Sequence, residues 1–308
     1  MSRLLFSFLL TASLLPATTY YVTVSGLGGE PDYDVRFASW ARDIDKLLKS
    51  AGSDVKATTL FGPEATKANL SQALADIARS ATAQDAVVLM LIGHGSFDGV
   101  EYKFNLPGPD ISSVELAALL DRIRTDRQLV VNMTSASGGS LAALKKEGRA
   151  VIMATKTGTE KNAVVFPRYW IEAMRDSASD VDKNEVISAL EAFRYAEQKT
   201  VRFYETQKRI ATEHAQLEDT GKGDAVRAPS PENGEGLLAA KFPLLRLGAA
   251  QAAAKDPAKQ KLLQKKEDLE QNIDRLKYQR AAMPSEEYRK QLAQLLLELA
   301  QTQAELDK

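Results

Sequence analysis

The chain has 308 residues, 44% of them hydrophobic, with 40 Lys plus Arg against 41 Asp plus Glu and a formal net charge of -1, which is globular composition and excludes disorder and collagen-like repeats. With pI about 6.2 there is no sequence-wide basic field, so nucleic acid and anionic membrane surfaces are not expected as main partners. Zero cysteines exclude disulfides, thiolate metal sites, a cysteine-linked lipid anchor and a cysteine nucleophile.

The N-terminus places Arg3 before an apolar run at residues 4–15 and the small residues Ala17, Thr18 and Thr19. That order is a signal peptide, expected over 1–19, and implies export to a periplasmic or extracellular space. The run is shorter than the roughly 20 apolar residues a membrane helix needs, so no stable membrane insertion is expected.

Residues 20–24 are β-rich and stop at Gly26, Gly28 and Gly29. Phe37, Trp40, Ile44, Leu47 and Leu48 fall at helical spacing and end at Gly52, and Leu70, Leu74 and Ile77 mark a second helix. The unbroken apolar run 86–92 suits a strand covered on both faces. Ser112 and Glu115 form a capping box ahead of Leu116, Leu119, Leu120 and Ile123. A strand at 129–133, a helix near 141–146, a strand at 150–154 and a helix at 168–175 follow. This alternation predicts an α/β fold with a mostly parallel sheet and helices on both faces over residues 20–248. Residues 219–235 read as a surface loop and 242–247 as one more strand.

Beyond Gly248 the composition turns to Ala, Gln, Lys, Glu and Leu. Leu262, Leu269, Ile273 and Leu276 lie on one heptad stripe, and Tyr288, Leu292, Leu295, Leu299, Thr302 and Leu306 on another. Pro284 and Ser285 break and restart the helix. An antiparallel helical hairpin, coiled-coil in pattern, is expected over residues 256–308 of the C-terminal unit 249–308. It serves either as a packing arm on the sheet domain or as a module for homo-oligomerisation or a partner protein.

Ligands of open parallel sheets bind beyond the carboxyl ends of the strands. The run 86–92 ends in Gly93, His94, Gly95 and Ser96, and the run 129–133 ends in Thr134, Ser135, Ala136, Ser137, Gly138 and Gly139. His94, flanked by glycines, suits either a substrate contact or a turn cap.

The order of strand-His-Gly, a strand with a small-residue loop ending Ser-Gly, and Ala-Thr on the next strand resembles the legumain-type cysteine peptidases, which share the caspase fold. The stretches 180–196 and 211–219 extend the likeness, which covers residues 20–248. It implies a dyad whose His position is His94. The Ala-Cys-x-Ser-Gly pattern of the family falls on Thr134-Ser135-Ala136-Ser137-Gly138, so the nucleophile position holds Ser135. The oxyanion donors implied are the backbone N–H groups of Gly95 and Ser135. Arg36 matches the basic residue that reads an acidic or amide side chain of the substrate.

A thiol with a pKa of about 8.5 ionises readily, whereas a hydroxyl needs a base already in contact with it. The expectation is therefore a pseudopeptidase that binds peptides or proteins. The alternative is a hydrolase with Ser135 as nucleophile, His94 as base and a carboxylate behind it.

A second candidate lies within the same stretch. Asp180, Asp182, Asn184, the Val186 carbonyl, Ser188 and Glu191 occupy positions 1, 3, 5, 7, 9 and 12 of an EF-hand-like loop, a donor set suited to calcium. Glu185 stands where such a loop has Gly. The same residues also read as a helix start, with Ser188 as N-cap and Glu191 closing a capping box without any ion. No other cofactor is expected. Pro31 spoils the Gly26–Gly29 run as a dinucleotide fingerprint, no phosphate loop is present, and His214 reads as a surface or packing residue.

Overall fold

The computed structural model describes residues 17–51, 54–230 and 234–308. Up to residue 16 the expected signal segment lies outside the described residues. Thr18 already joins the domain, its N–H donating to Asp85 Oδ1 at 2.7 Å, and the first strand begins at Thr19, inside the span expected for the signal.

In chain order, β1 (Thr19–Ser25), α1 (Pro31–Ala51), β2 (Val55–Leu60), α2 (Lys67–Ser80) and β3 (Ala86–Gly93) form the first half of the sheet and its cover. Three short strands follow, β4 (Gly95–Phe97), β5 (Tyr102–Phe104) and β6 (Ile111–Ser112), then α3 (Ser113–Leu120), β7 (Arg127–Thr134), α4 (Leu141–Leu144), β8 (Arg149–Met153) and α5 (Phe166–Ala173). The remainder holds β9 (Val186–Ser188), α6 (Ala189–Thr206), β10 (Gln216–Glu218), β11 (Pro243–Arg246), α7 (Gly248–Lys255), α8 (Gln260–Gln279) and α9 (Ser285–Leu306).

The central sheet has six strands in the order β10-β8-β7-β3-β1-β2. All neighbours are parallel except β10, which runs antiparallel to β8. Every residue of β3 is buried, and the two-residue side-chain period divides them between two cores. Val87, Leu89 and Leu91 pack with Leu70 and Leu74 of α2 and Leu116 and Leu120 of α3. Val88, Met90 and Ile92 pack on the opposite face with Ile44 and Leu48 of α1, Trp170 of α5 and Phe193 of α6. The expected doubly covered sheet is therefore present. α1 leads outward from β1 to β2, and α2 returns from β2 past β1 to β3, so the strand order reverses there and the gap between the ends of β1 and β3 is the topological switch point.

Both expected capping boxes form, at Ser112 with Glu115 and at Ser188 with Glu191. The helix expected near 141–146 is a single turn, because the preceding Ser137–Ser140 segment is 3-10 and Lys145 leaves helical geometry. The strand expected at 242–247 forms as β11 but stays outside the central sheet. The edge beside β8 is occupied by β10, so β11 pairs antiparallel with β9.

The C-terminal hairpin is antiparallel, as the Lys265–Glu298 pair at 3.1 Å and the bond from Lys259 Nζ to the Leu306 carbonyl at 2.6 Å require. α8 packs on the sheet domain: Leu263 joins Val186, Ala250, Ala253 and Ala254, and Arg246 reaches Glu267 and Asp54. α9 is the outer helix, with Thr302 and Leu306 buried and Leu296 and Leu297 exposed. Among the described residues no helix is long and apolar enough to cross a membrane.

Candidate functional site

His94 follows β3 directly, at the switch point. Its ring meets Tyr33 and Phe37 of α1 edge-on, with centroids 4.9 and 5.2 Å away. These two aromatic residues stand one helical turn apart, the i,i+4 spacing that puts both on one face. Burial lowers the His94 pKa below its ordinary value of 6.5, against the opposing pull of the Gly28 backbone and the Asp34 and Glu30 carboxylates. The imidazole is accordingly neutral at pH 7, the form able to accept a proton.

Ser135 follows β7, the strand next to β3, so the sheet brings the two expected dyad positions to adjacent strand ends. The hydroxyl, however, is joined to Gly95. Ser135 Oγ donates to the Gly95 carbonyl at 3.0 Å and accepts the Gly95 N–H at 3.1 Å. A serine hydroxyl has one proton, and here the proton goes to a backbone carbonyl instead of His94. The Gly95 N–H, expected to be an oxyanion donor, is held by the nucleophile position itself. Close packing explains the clasp: a Cβ on Gly95 would stand 2.4 Å from Tyr102 Cε2 and 2.6 Å from the Ser135 carbonyl oxygen.

A network of small polar groups fixes the loop after β7. The Tyr102 hydroxyl lies 2.6 Å from Thr134 Oγ1 and 3.2 Å from Asn132 Oδ1. Ser137 Oγ and the Gly138 N–H meet Thr155 Oγ1 at 3.1 and 2.9 Å. Ala136 turns left-handed at φ 56°, and its N–H donates to the Glu160 carbonyl at 2.8 Å. With Ser135 only 2% exposed, the loop encloses the hydroxyl instead of presenting it.

Arg36 lies on the exposed side of α1, its guanidinium carbon 5.1 Å from the centre of the Tyr33 ring. Tyr33 thus touches both the expected specificity residue and His94.

Other residues around this site have no chemical role assigned by the sequence, and the fold brings them together. Glu160 binds the Ala136 N–H through its carbonyl and meets His214 Nδ1 at 2.5 Å through its carboxylate. His214 is therefore tied to the loop beside Ser135. Glu213 caps α5, accepting the Val165 and Phe166 N–H groups at 2.7 and 3.1 Å and the Tyr204 hydroxyl at 2.9 Å. Burial pushes the Glu213 pKa up to about 7. Asp219 accepts the N–H groups of Gly236, Leu238 and Ala239, pinning the far side of the 219–235 loop. The stretch 211–219 thus supplies backbone anchors and the histidine that pairs with Glu160.

In the acidic loop, Asp180, Asp182 and Glu191 each bring a carboxylate oxygen within 4.8 Å of the other two. Asp180 Oδ2 accepts the Glu185 N–H at 3.2 Å, Asp182 Oδ1 the Asn184 N–H at 3.1 Å, and Asn184 Oδ1 the Val186 N–H at 2.8 Å. Glu185 takes φ 68°, the left-handed conformation for which such loops use Gly, so the backbone makes the turn despite the side chain. Loss of solvation, then repulsion from Glu191 and Asp180, pushes the Asp182 carboxyl up to about 6. The helix cap coexists with this arrangement and corrects one expected ligand. Ser188 Oγ accepts the Glu191 N–H at 3.2 Å and donates to Glu191 Oε2 at 2.8 Å, so the cap occupies that hydroxyl.

No protein-family model matches the chain, and no curated protein matches it. Among solved structures, a structural-genomics protein of Geobacter sulfurreducens is similar at 11% identity and a TM-score of 0.45, over 75% of this chain and 99% of its own. Raptor of Chaetomium thermophilum is similar at 10% identity and a TM-score of 0.37, over 54% of this chain and 19% of Raptor. Likenesses this distant decide neither family nor function.

Proposed function

We propose that this chain is an exported caspase-fold protein of the legumain type that keeps the peptide cleft without the peptidase chemistry, and acts by binding a peptide or protein. The observation that carries this reading is the Ser135 hydroxyl, whose proton goes to the Gly95 carbonyl instead of a base. Support for the fold assignment comes from the five parallel strands in doubly wound order with an antiparallel sixth, and from His94 and Ser135 at the ends of neighbouring strands. Arg36, exposed on α1, supplies a charge for an acidic or amide side chain, and Tyr33 and Phe37 supply an apolar wall beside His94. The neutral His94 favours the competing hydrolase reading, which requires the Ser135 hydroxyl to turn from Gly95 to the imidazole.

The two readings separate on purified protein given fluorogenic peptides containing Asn or Asp, together with a serine-reactive probe. The binding reading expects no turnover and no labelling at Ser135. Turnover abolished by Ser135→Ala would overturn it. Peptide binding followed by calorimetry is expected to weaken at least tenfold in Arg36→Ala, and an unchanged affinity would remove Arg36 from the recognition surface.

A further inference from the structure

We propose that the loop formed by residues 180–191 is a calcium site. Three carboxylates converge there, and the loop adds a formal charge of -3 through Asp180, Asp182 and Glu191 alone. Asp180 carries the second observation. The residue is only 5% exposed, its Oδ2 holds the Glu185 N–H, and its Oδ1 has no hydrogen-bond partner. A buried carboxylate oxygen left bare beside two further carboxylates is the arrangement a cation resolves.

Nearby ammonium groups do not serve that purpose. Lys183 Nζ donates to the backbone carbonyl of Asp180 at 2.6 Å, and Lys266 Nζ to that of Asn184 at 3.0 Å. Lys266 also lies 3.9 Å from the Glu270 carboxylate of its own helix, and no ion pair joins either lysine to Asp180, Asp182 or Glu191 among the described residues. The available donors are hard oxygens: Asp180 Oδ1, the Asp182 carboxylate, and Glu191 Oε1, which accepts one N–H from Val181 and keeps a second lone pair. An all-oxygen set with no nitrogen or sulfur selects calcium over zinc, and carboxylates that can bind through one oxygen or two suit the flexible six-to-eight coordination of calcium better than the strict octahedron of magnesium. Ile187, buried and paired with Leu245 between β9 and β11, fixes the far half of the loop to the core.

The ion would also stiffen the seat of the C-terminal hairpin. Asn184 Nδ2 donates to Glu270 Oε2 of α8 at 3.3 Å, and the Asn184 carbonyl receives Lys266 of the same helix. Calcium held by the loop therefore fixes a segment on which α8 rests.

The test uses the full-length protein freed of divalent ions with a chelator and titrated with calcium chloride by calorimetry. One ion per chain is expected, with Kd on the order of 10⁻⁵ M. At a hundredfold excess over Kd the melting temperature should rise by about 5 °C. Asp182→Asn and Asp180→Asn should each weaken binding at least tenfold. Asp182→Asn removes the charge that Glu191 and Asp180 repel, so its calcium-free melting temperature should be no lower than that of the unaltered protein, which separates loss of the ligand from loss of the fold. No saturable binding up to 1 mM calcium, unchanged binding in both variants, or an equal response to magnesium would each overturn the proposal.

Discussion

Glu267→Ala removes the carboxylate that holds Arg246 under α8. Arg246 and Glu267 are both 8% exposed and share two bonds, Nε to Oε1 at 2.7 Å and Nη2 to Oε2 at 3.2 Å. Losing one partner of a buried pair costs about 3–5 kcal/mol, mainly because the other charge stays buried without its counter-ion. Asp54 still accepts from Arg246 Nη1 at 2.9 Å, which places this case at the lower end, about 3 kcal/mol. For a chain of this length that lowers the melting temperature by roughly 6 °C. Replacing both residues, as Arg246→Met with Glu267→Met, removes the orphaned arginine charge and leaves only the part-exposed Asp54 without its partner, so stability should recover to within about 2 kcal/mol of the starting protein. Urea denaturation followed by Trp40 and Trp170 fluorescence measures both variants. A change below about 0.5 kcal/mol in Glu267→Ala, or a double variant no better than the single one, would refute the buried-pair account.

Gly95→Ala should destabilise by about 3 kcal/mol, because its Cβ enters Tyr102 and the Ser135 carbonyl; an unchanged denaturation midpoint would mean that the two strand ends are not clasped. Glu213, raised to about 7 by burial, binds its proton more tightly folded than unfolded. Its contribution is complete below the unfolded value near 4.5 and is lost as pH rises through about 7, so Glu213→Gln should flatten the stability profile between those limits, and an unaltered slope would refute the assignment. His94 has the opposite sign. Its folded pKa is lowered, so its contribution is present above 6.5 and lost as pH falls, and an imidazole NMR titration midpoint above 6.5 would contradict the burial beside Tyr33 and Phe37.

The elements most legible in the sequence are those whose side chains are sorted by burial alone. The apolar run of β3 and the helical spacing of Ile44 and Leu48 survive into the structure because one face or two must be dry. The capping boxes were legible because Ser112 with Glu115, and Ser188 with Glu191, act within four residues. β4, β5 and β6 are two or three residues long, too short to show any period, and the half-exposed β2 has a burial pattern set by its edge position. At the candidate site, His94 and Ser135 were found through strand ends, but their relation was not legible. Whether the serine proton faces an imidazole or a glycine carbonyl depends on how closely β3 and β7 bring Gly95 to Ser135. Glu160 with His214 escaped for the same reason, since 54 residues separate two groups that only the fold brings together.

The antiparallel strand at the end of the sheet sets the order in which the chain can complete itself. As the chain is made from its N-terminus, β1, β2, β3, β7 and β8 are all available once Met153 has emerged, yet Ile152 waits for Leu217. Until then β8 carries an open row of N–H and C=O groups, the kind of edge that captures strands from other chains. Tyr21 waits longer, for its hydroxyl binds the Pro243 carbonyl 222 residues downstream. Such distant closures slow folding and lengthen the life of the open-edged intermediate. A ribosome-bound chain stopped between residues 153 and 216 should therefore be the most aggregation-prone length, with the hazard ending when β10 closes on β8.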